Sequence, residues 1–250
     1  MSATRRAARG LAAVAAFVAL LAASVAAPAQ DAGTAAAPAR DAAPGAAPRG
    51  EPALRVFVVR HAQAWKNVPR AQRPPDLGEA QLDSLTDAGR ARARAVGASL
   101  RGAGVARVIA SPARRARQTA QAIADELGTG AIEVDPRFAP LRHGASAQAA
   151  DWRWRTANWK AGRDPRPEGG ESLADALERA SAALDALARE TPGATVVVVT
   201  HGEIAAALLS QAAGVPPVAG YAANFVGEGT ISEVAIDAGG WKLVAKGRKP

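Results

Sequence analysis

Short runs of β-branched and other apolar residues recur along the chain and alternate with longer segments of helical pattern. The strongest run is TVVVVT at residues 195–200, and LRVFVV at residues 54–59 and VARVIA at residues 105–110 are similar. A strand that is apolar at every position, rather than at alternate positions, is typical of a sheet covered on both faces. The pattern therefore predicts an α/β fold, a three-layer sandwich in which helices flank a mostly parallel sheet.

The other elements are predicted from helical periodicity, capping residues and turn residues. Thr86 is a residue that caps helices well, and Gly128 is typical of a helix end. Residues 137–171 are expected to be irregular. Helices are expected at residues 86–100, 114–127, 172–189 and 203–213, and further strands at residues 132–134, 231–236 and 241–245, the last two as a hairpin.

The first 52 residues are predicted to be an export signal followed by a linker. Three arginines precede an apolar run at residues 11–25, and Ala27-Pro28-Ala29 resembles a signal-peptide cleavage site. The run is short for a membrane span, so a cleaved signal is favoured over a retained anchor, which stays open as the alternative. We expect a periplasmic or secreted protein without stable membrane insertion after cleavage. The predicted organisation is a signal peptide at residues 1–29, a disordered Ala/Pro-rich linker at 30–52 and one domain at 53–250.

Composition excludes several classes of site. The 250 residues contain no cysteine, which excludes disulfide bonds, thiolate metal sites and cysteine nucleophiles. The formal charge is +8, and removal of a signal peptide carrying Arg5, Arg6 and Arg9 would lower it to +5. A surplus of this size attracts anions in general and does not identify a nucleic-acid-binding protein. We expect no nucleic-acid partner.

Polar and charged residues follow the predicted strands directly. Arg60 and His61 follow the first strand, Ser111 and then Arg115 follow the second, and His201 follows TVVVVT. The carboxyl ends of parallel strands meet at one edge of a sheet, where folds of this class bind ligands. Guanidinium groups, imidazoles and a helix N-terminus at that edge predict a pocket for a phosphoryl group. A neutral imidazole in such a pocket is able to attack phosphorus and form a phosphohistidine.

Five motifs between residues 54 and 236 resemble, in the same order, those of the histidine phosphatase (phosphoglycerate-mutase-like) superfamily. They are V-V-R-H-A at 58–62, L-T-D-A-G-R at 85–90, S-P-x-x-R-A-x-Q-T-A at 111–120, G-G-E-S at 169–172 and V-T-H-G-E at 199–203. The resemblance implies a phosphoglycerate-mutase-like sandwich and, in the hydrolytic branch, a phosphatase that needs no metal and no organic cofactor.

The resemblance also implies roles for individual residues. His61 would be the nucleophile, and Arg60, Arg115 and His201 would complete the catalytic phosphate pocket. Asn67 lies six residues after His61, where many members place an asparagine that contacts the phosphate.

The sequence departs from the family pattern in two places. The usual R-H-G is R-H-A here, and Ala62 fits only if its backbone φ is negative. Leu141 stands roughly where many members carry a glutamate as general acid, and its apolar side chain cannot donate a proton. Three explanations stay open: a substrate with a good leaving group, such as a phosphoramidate or an anhydride; an acid role for His143 or Glu203; or a slow enzyme.

These observations favour an exported phosphatase that hydrolyses a phosphorylated small molecule through a phosphohistidine on His61. The alternatives are a phosphoglycerate mutase-type phosphotransferase and a catalytically silent anion-binding protein with the same pocket. Tryptophans 152, 154 and 159 alternate with basic residues, as in a platform for single-stranded nucleic acid, but a lid or wall of the substrate pocket is favoured. An acidic substrate is expected from the basic residues of two loops, Lys66, Arg70, Arg73, Arg142, Arg153 and Arg155.

Overall fold

The computed structural model describes residues 53–250, and a six-stranded sheet forms the centre of this part of the chain. Its strands are β1 Leu54–Arg60, β2 Val105–Ala110, β3 Glu133–Val134, β4 Thr195–Thr200, β5 Ile231–Asp237 and β6 Gly240–Arg248. The spatial order is β3-β2-β4-β1-β5-β6; the first four strands are mutually parallel, and β5 and β6 pair antiparallel. The predicted α/β sandwich with a mostly parallel sheet is confirmed, whereas the predicted signal peptide (1–29) and linker (30–52) lie outside the described residues.

Helices cover both faces of this sheet. In residues 53–250 they are α1 Glu79–Leu82, α2 Asp87–Ser99, α3 Arg114–Leu127, α4 Ala147–Ala150, α5 Trp152–Lys160, α6 Leu173–Glu190, α7 Gly202–Ala212 and α8 Pro217–Asn224.

The alternation of side chains along β4 explains why its four central positions are all valine. Val196 and Val198 belong to the core that includes α6 and α7, whereas Val197 and Val199 belong to the core that includes α2 and α3. All four valines are fully buried. Successive residues of a strand point to opposite faces, so a strand between two helical layers has no position at which a polar side chain reaches water.

Capping side chains fix where the long helices begin. The hydroxyl of Thr86 accepts a hydrogen bond from the backbone N–H of Gly89, as predicted. Ser172 and Asp175 form a reciprocal capping box at the start of α6. Such caps satisfy amide groups that the first helical turn leaves unpaired, and each is worth about 1 kcal/mol.

Four helices, α1, α4, α5 and α8, lie in segments where the sequence pattern gave no helical prediction, and the two longest of them are α5 and α8. Residues 137–171 were expected to be irregular, but this segment contains α5. Its apolar periodicity is weak because one of its two buried side chains is Arg155, the other being Trp159. The short helix α8 was also not predicted; it begins with two prolines, which fit the first turn of a helix.

No single helix among residues 53–250 combines the length and the hydropathy needed to cross a membrane. Helices α7 and α8 pass that test only when they are taken together, and they meet at a bend of 111°.

The sheet brings three chain segments together at one edge. His61 follows β1 and donates its backbone N–H to Thr200 of the neighbouring β4, while Ser111 follows β2 and donates its N–H to Val199. His201 follows β4 and immediately precedes α7. The predicted convergence of these strand ends is therefore observed.

Candidate active site

The two histidines that follow β1 and β4 lie next to each other. The centroids of the His61 and His201 rings are 5.3 Å apart, and the ring planes are inclined by 58°. The two residues are only 3% and 1% exposed, yet both line one cavity of about 500 Å³ that is open to solvent. The remaining predicted site residues, Arg60, Asn67, Arg115, His143 and Glu203, line the same cavity.

Arg115 connects the two imidazoles. Its Nε donates to Nε2 of His61 at 3.0 Å, and its Nη2 donates to Nδ1 of His201 at 2.7 Å. A guanidinium has no acceptor, so both of these ring nitrogens carry a lone pair and both histidines are neutral.

The partners of the other ring nitrogens complete the assignment of the tautomers. Nδ1 of His61 donates to the carbonyl of Ala62 at 2.8 Å, and Nε2 of His201 donates to the hydroxyl of Ser111 at 2.7 Å. Burial and the charge of Arg115 both oppose protonation, and they lower the pKa of His61 to about 3. The same two causes hold the pKa of His201 well below its usual value.

Asp83 fixes the position of Arg115 and was not predicted from the sequence. Its carboxylate is hydrogen-bonded to Nη1 of Arg115, lies 3.2 Å from Nζ of Lys66, and accepts the backbone N–H of Arg114 at 2.8 Å. Burial opposes ionisation of Asp83, but these cations outweigh it, and the pKa of the carboxyl lies below its usual value. No motif marked Asp83, because its role depends on how residues 68–84 fold back onto α3.

The Arg60 guanidinium is held by the segment that follows α8. Its Nη1 donates to the carbonyl of Val226 at 2.8 Å, its Nη2 lies 3.5 Å from the Glu228 carboxylate, and its central carbon lies 4.8 Å from the centroid of the Phe225 ring. Its buried Nε meets no acceptor within residues 53–250. The Arg60 side chain lines the cavity, and its Nε–H donor is unused among the described residues.

The position after the first histidine tolerates alanine. Among the described non-glycine residues only Asp76 has a positive φ. The backbone φ of Ala62 is therefore negative, which is the condition under which alanine fits here. The Ala62 side chain is fully buried, and its N–H donates to Thr119 of α3.

Asn67 lies at the cavity wall in a short 3-10 turn, where its Oδ1 accepts the N–H of Ala64 at 3.3 Å. Its amide nitrogen is thus the group left to contact a bound anion.

The two residues considered as general acids, Glu203 and His143, also line this cavity. Glu203, in the first turn of α7, accepts the backbone N–H of Leu141 through Oε1 at 3.1 Å. Nδ1 of His143 is buried without a partner among the described residues. Burial and the charge of Arg155 lower the pKa of His143, and Glu203 opposes this in part. The backbone N–H of Leu141 thus holds the Glu203 carboxylate close to Leu141, a residue whose own side chain has no acidic group.

Of the six basic residues expected to face the substrate, five do not line the cavity, and the prediction is wrong for these five. The sixth, Lys66, lines it. Arg155 is fully buried, and its guanidinium donates to the carbonyls of Ala149, Arg142, His143 and Glu171. The sequence could not distinguish Arg155 from a surface arginine, because every residue has a backbone carbonyl and the sequence does not show which carbonyls a side chain binds.

The tryptophan segment contributes one wall of the cavity. Trp152 lines it and is 37% exposed, whereas Trp159 is buried and packs edge-on against Trp152 with ring centroids 5.5 Å apart. A row of tryptophans available for base stacking is therefore not present in α5.

Comparison with known proteins agrees with this geometry. The profile of the histidine phosphatase superfamily (branch 1) matches residues 56–248. The chain is 32% identical over 171 residues to the probable phosphoglycerate mutase GpmB of Erwinia tasmaniensis, covering 65% of this chain and 76% of that protein. The solved structure of mycobacterial hydrolase 1 matches with a TM-score of 0.63 and 25% identity, over 79% of this chain and 100% of the other. A mycobacterial glucosyl-3-phosphoglycerate phosphatase solved with VO3 gives a TM-score of 0.63 at 24% identity, over 78% and 99%.

Proposed function

The chain belongs to the histidine phosphatase superfamily, and from this premise we propose that it hydrolyses a phosphorylated small molecule by way of a phosphohistidine on His61. The observation that carries the proposal is the fixed tautomer of His61. Its Nδ1–H is bonded to the carbonyl of Ala62, so the lone pair is on Nε2, beside Arg115 and at the cavity. With a pKa of about 3, this nitrogen is unprotonated and nucleophilic at neutral pH.

In the first step the phosphoryl group moves from the substrate to His61. The lone pair of Nε2 forms a bond to phosphorus, and the bond between phosphorus and the leaving oxygen breaks with its electron pair on oxygen. Arg115 exchanges its bond to His61 for a phosphoryl oxygen, and Arg60 and the first amides of α7 bind the others. These donors stabilise the charge that spreads over the equatorial oxygens in the transition state.

In the second step water attacks the phosphohistidine. An oxygen–phosphorus bond forms, the nitrogen–phosphorus bond breaks, and its electron pair returns to Nε2. Inorganic phosphate leaves, and the tautomer of His61 is restored.

Glu203 is the residue that we assign to proton transfer in both steps. It lines the cavity, and while Oε1 is held by Leu141, Oε2 accepts no hydrogen bond from residues 53–250. As an acid it protonates the leaving oxygen, and as a carboxylate it takes a proton from the attacking water. His143 is the alternative, because it lines the same cavity and its Nδ1 has no partner among the described residues.

The test is metal-free turnover of p-nitrophenyl phosphate by the wild type and by His61→Ala, with rapid acid-free quenching and mass spectrometry of the peptide that contains His61. The proposal requires a phosphorylated peptide in the wild type and loss of turnover in the variant. Turnover that survives His61→Ala contradicts the nucleophile assignment. Vanadate binding without any turnover favours the silent anion-binding protein.

A mutase is the second candidate, favoured by the name of the 32%-identical relative. A mutase returns the phosphoryl group to the substrate, whereas a phosphatase releases it. Incubation with 3-phosphoglycerate separates the two: formation of 2-phosphoglycerate without stoichiometric release of phosphate identifies a mutase.

Export from the cytoplasm is part of the proposal. It is supported by the basic start, the apolar run and the Ala27-Pro28-Ala29 site of the first 29 residues. Fractionation of cells that express the full chain, with N-terminal sequencing, tests it. A periplasmic or secreted protein that begins after Ala29 is expected; an uncleaved membrane-bound chain identifies a retained anchor, and a full-length cytoplasmic chain contradicts export.

A further inference from the structure

The cavity beside the two histidines has a second, apolar part that the phosphoryl chemistry does not use. Its volume of about 500 Å³ corresponds to more than ten water molecules at about 30 Å³ each, which exceeds the space needed by one phosphoryl group. The cationic side chains are Arg60, Lys66 and Arg115, and the remaining wall includes Pro140, Leu141, His143, Trp152 and Phe225.

Aromatic rings extend from the phosphate pocket to the far wall. Phe225 stacks on the Arg60 guanidinium at 4.8 Å, and its ring centroid lies 5.5 Å from that of Tyr221. Tyr221 in turn lies 6.5 Å from Trp152, whose ring meets His143 edge-on at 6.2 Å. Phe225 is held in place because Gly202 leaves room for it: a Cβ at that position would approach the ring to 2.7 Å.

Two of these rings are more exposed than large apolar side chains usually are. Trp152 is 37% exposed and Phe225 is 41% exposed, and both line the cavity. Exposed apolar surface in a concave site that also holds a few convergent polar groups is typical of a ligand pocket.

The wall around these rings carries little net positive charge. Lys66 is paired with Asp83 at 3.2 Å, Arg142 lies 3.4 Å from Glu171, and Arg155 is buried on backbone carbonyls. A second anionic group on the substrate would therefore lose its hydration without gaining a free cation.

From these observations, and resting on the proposed function, we infer that the substrate is a phosphate monoester whose leaving group is uncharged and aromatic or otherwise apolar, bound between Trp152 and Phe225. This replaces the acidic substrate expected from the count of basic residues. It also fits the apolar Leu141 side chain at the cavity wall, because a phenolic leaving group needs less protonation than an alkoxide.

Three aryl phosphates with leaving groups of similar basicity test the inference: 2-naphthyl, phenyl and 4-carboxyphenyl phosphate. The wild type is expected to use 2-naphthyl phosphate with a kcat/KM roughly tenfold above that for 4-carboxyphenyl phosphate. The larger ring stacks better on the aromatic side chains, and the naphthyl ester has no carboxylate that must lose its hydration on binding. Trp152→Ala and Phe225→Leu are expected to raise the KM for 2-naphthyl phosphate several-fold and to change that for phenyl phosphate less.

Trp154→Ala is the matched control, because Trp154 lies in the same helix but does not line the cavity. Circular dichroism of each variant checks that it folds. If Trp152→Ala does not fold, Phe225→Leu still tests the inference. Equal or better use of 4-carboxyphenyl phosphate, or a selectivity that neither variant changes, overturns the inference. The proposed function fails separately, if turnover of all three esters survives His61→Ala.

Discussion

The carboxylate of Asp83 is hydrogen-bonded to Nη1 of Arg115, the guanidinium that donates to both active-site imidazoles. Asp83 also accepts the N–H of Arg114, so it is tied to the first turn of α3 as well as to the side chain. The Arg115 side chain has several rotatable bonds, and its bond to Asp83 restrains Nε and Nη2 in line with the two rings. Asp83 is therefore a positioning residue for the phosphate pocket.

Replacing Asp83 by Asn is expected to lower kcat/KM for p-nitrophenyl phosphate at least about tenfold, since a charge-assisted hydrogen bond is worth about 1.5–3 kcal/mol. Asp87→Asn is the control, because Asp87 forms only an exposed ion pair with Arg90. Nitrogen NMR of the imidazoles supplies a second readout: Asp83→Asn should disturb the shifts of His61 and His201, and a variant with unchanged shifts and activity would rule out the positioning role.

The sequence predicted those parts of the site that follow the strands. A parallel sheet places the ends of β1, β2 and β4 at one edge, so the approach of His61, Arg115 and His201 follows from topology alone. Asp83 reaches Arg115 only because residues 68–84 fold back onto α3, and Arg155 binds backbone carbonyls of other segments; neither relationship has a sequence signal. The same reason explains why α5 was missed: its burial depends on a satisfied guanidinium and not on an apolar stripe.

Arg155 is expected to contribute strongly to stability. It is fully buried, and its guanidinium donates to four backbone carbonyls from the segments around residues 142–149 and 171. Arg155→Ala leaves several of these carbonyls unpaired, and we expect the free energy of unfolding to fall by at least about 3 kcal/mol. Urea unfolding followed by circular dichroism measures this loss.

The neighbouring exposed Arg153 supplies the control, because its replacement by Ala is expected to change stability by less than about 0.5 kcal/mol. Similar losses in both variants would contradict the structural role of Arg155.

Acid should destabilise the protein through its two buried histidines. The pKa of His61 is lowered to about 3 and that of His201 is also lowered, so between these values and 6.5 the unfolded chain binds protons that the folded chain does not. Stability from this source is complete above pH 6.5 and is lost as the pH falls. His61 is expected to cost about 2 kcal/mol between pH 6.5 and 5, because one proton is worth about 1.4 kcal/mol per pH unit, and His201 adds to this loss in the same direction.

Urea unfolding at several pH values between 7 and about 5 measures this dependence. In the double variant His61→Gln/His201→Gln the slope should be clearly shallower, because glutamine does not titrate. If the slope of the variant equals that of the wild type, the two imidazoles do not account for the acid sensitivity.

The assignment of Glu203 predicts a selective effect on poor leaving groups. An alkoxide needs a proton as it leaves, whereas p-nitrophenolate does not, and proton donation contributes about 10²–10⁴-fold. Glu203→Gln keeps the bond to the N–H of Leu141 but cannot donate a proton as an acid. We expect this variant to lose at least about 100-fold in kcat for an alkyl phosphate and far less for p-nitrophenyl phosphate. His143→Ala serves as the comparison. If that variant selectively loses activity on the alkyl phosphate and Glu203→Gln does not, the acid role belongs to His143. If neither variant shows a selective loss, the enzyme has no protein acid and is restricted to substrates with good leaving groups.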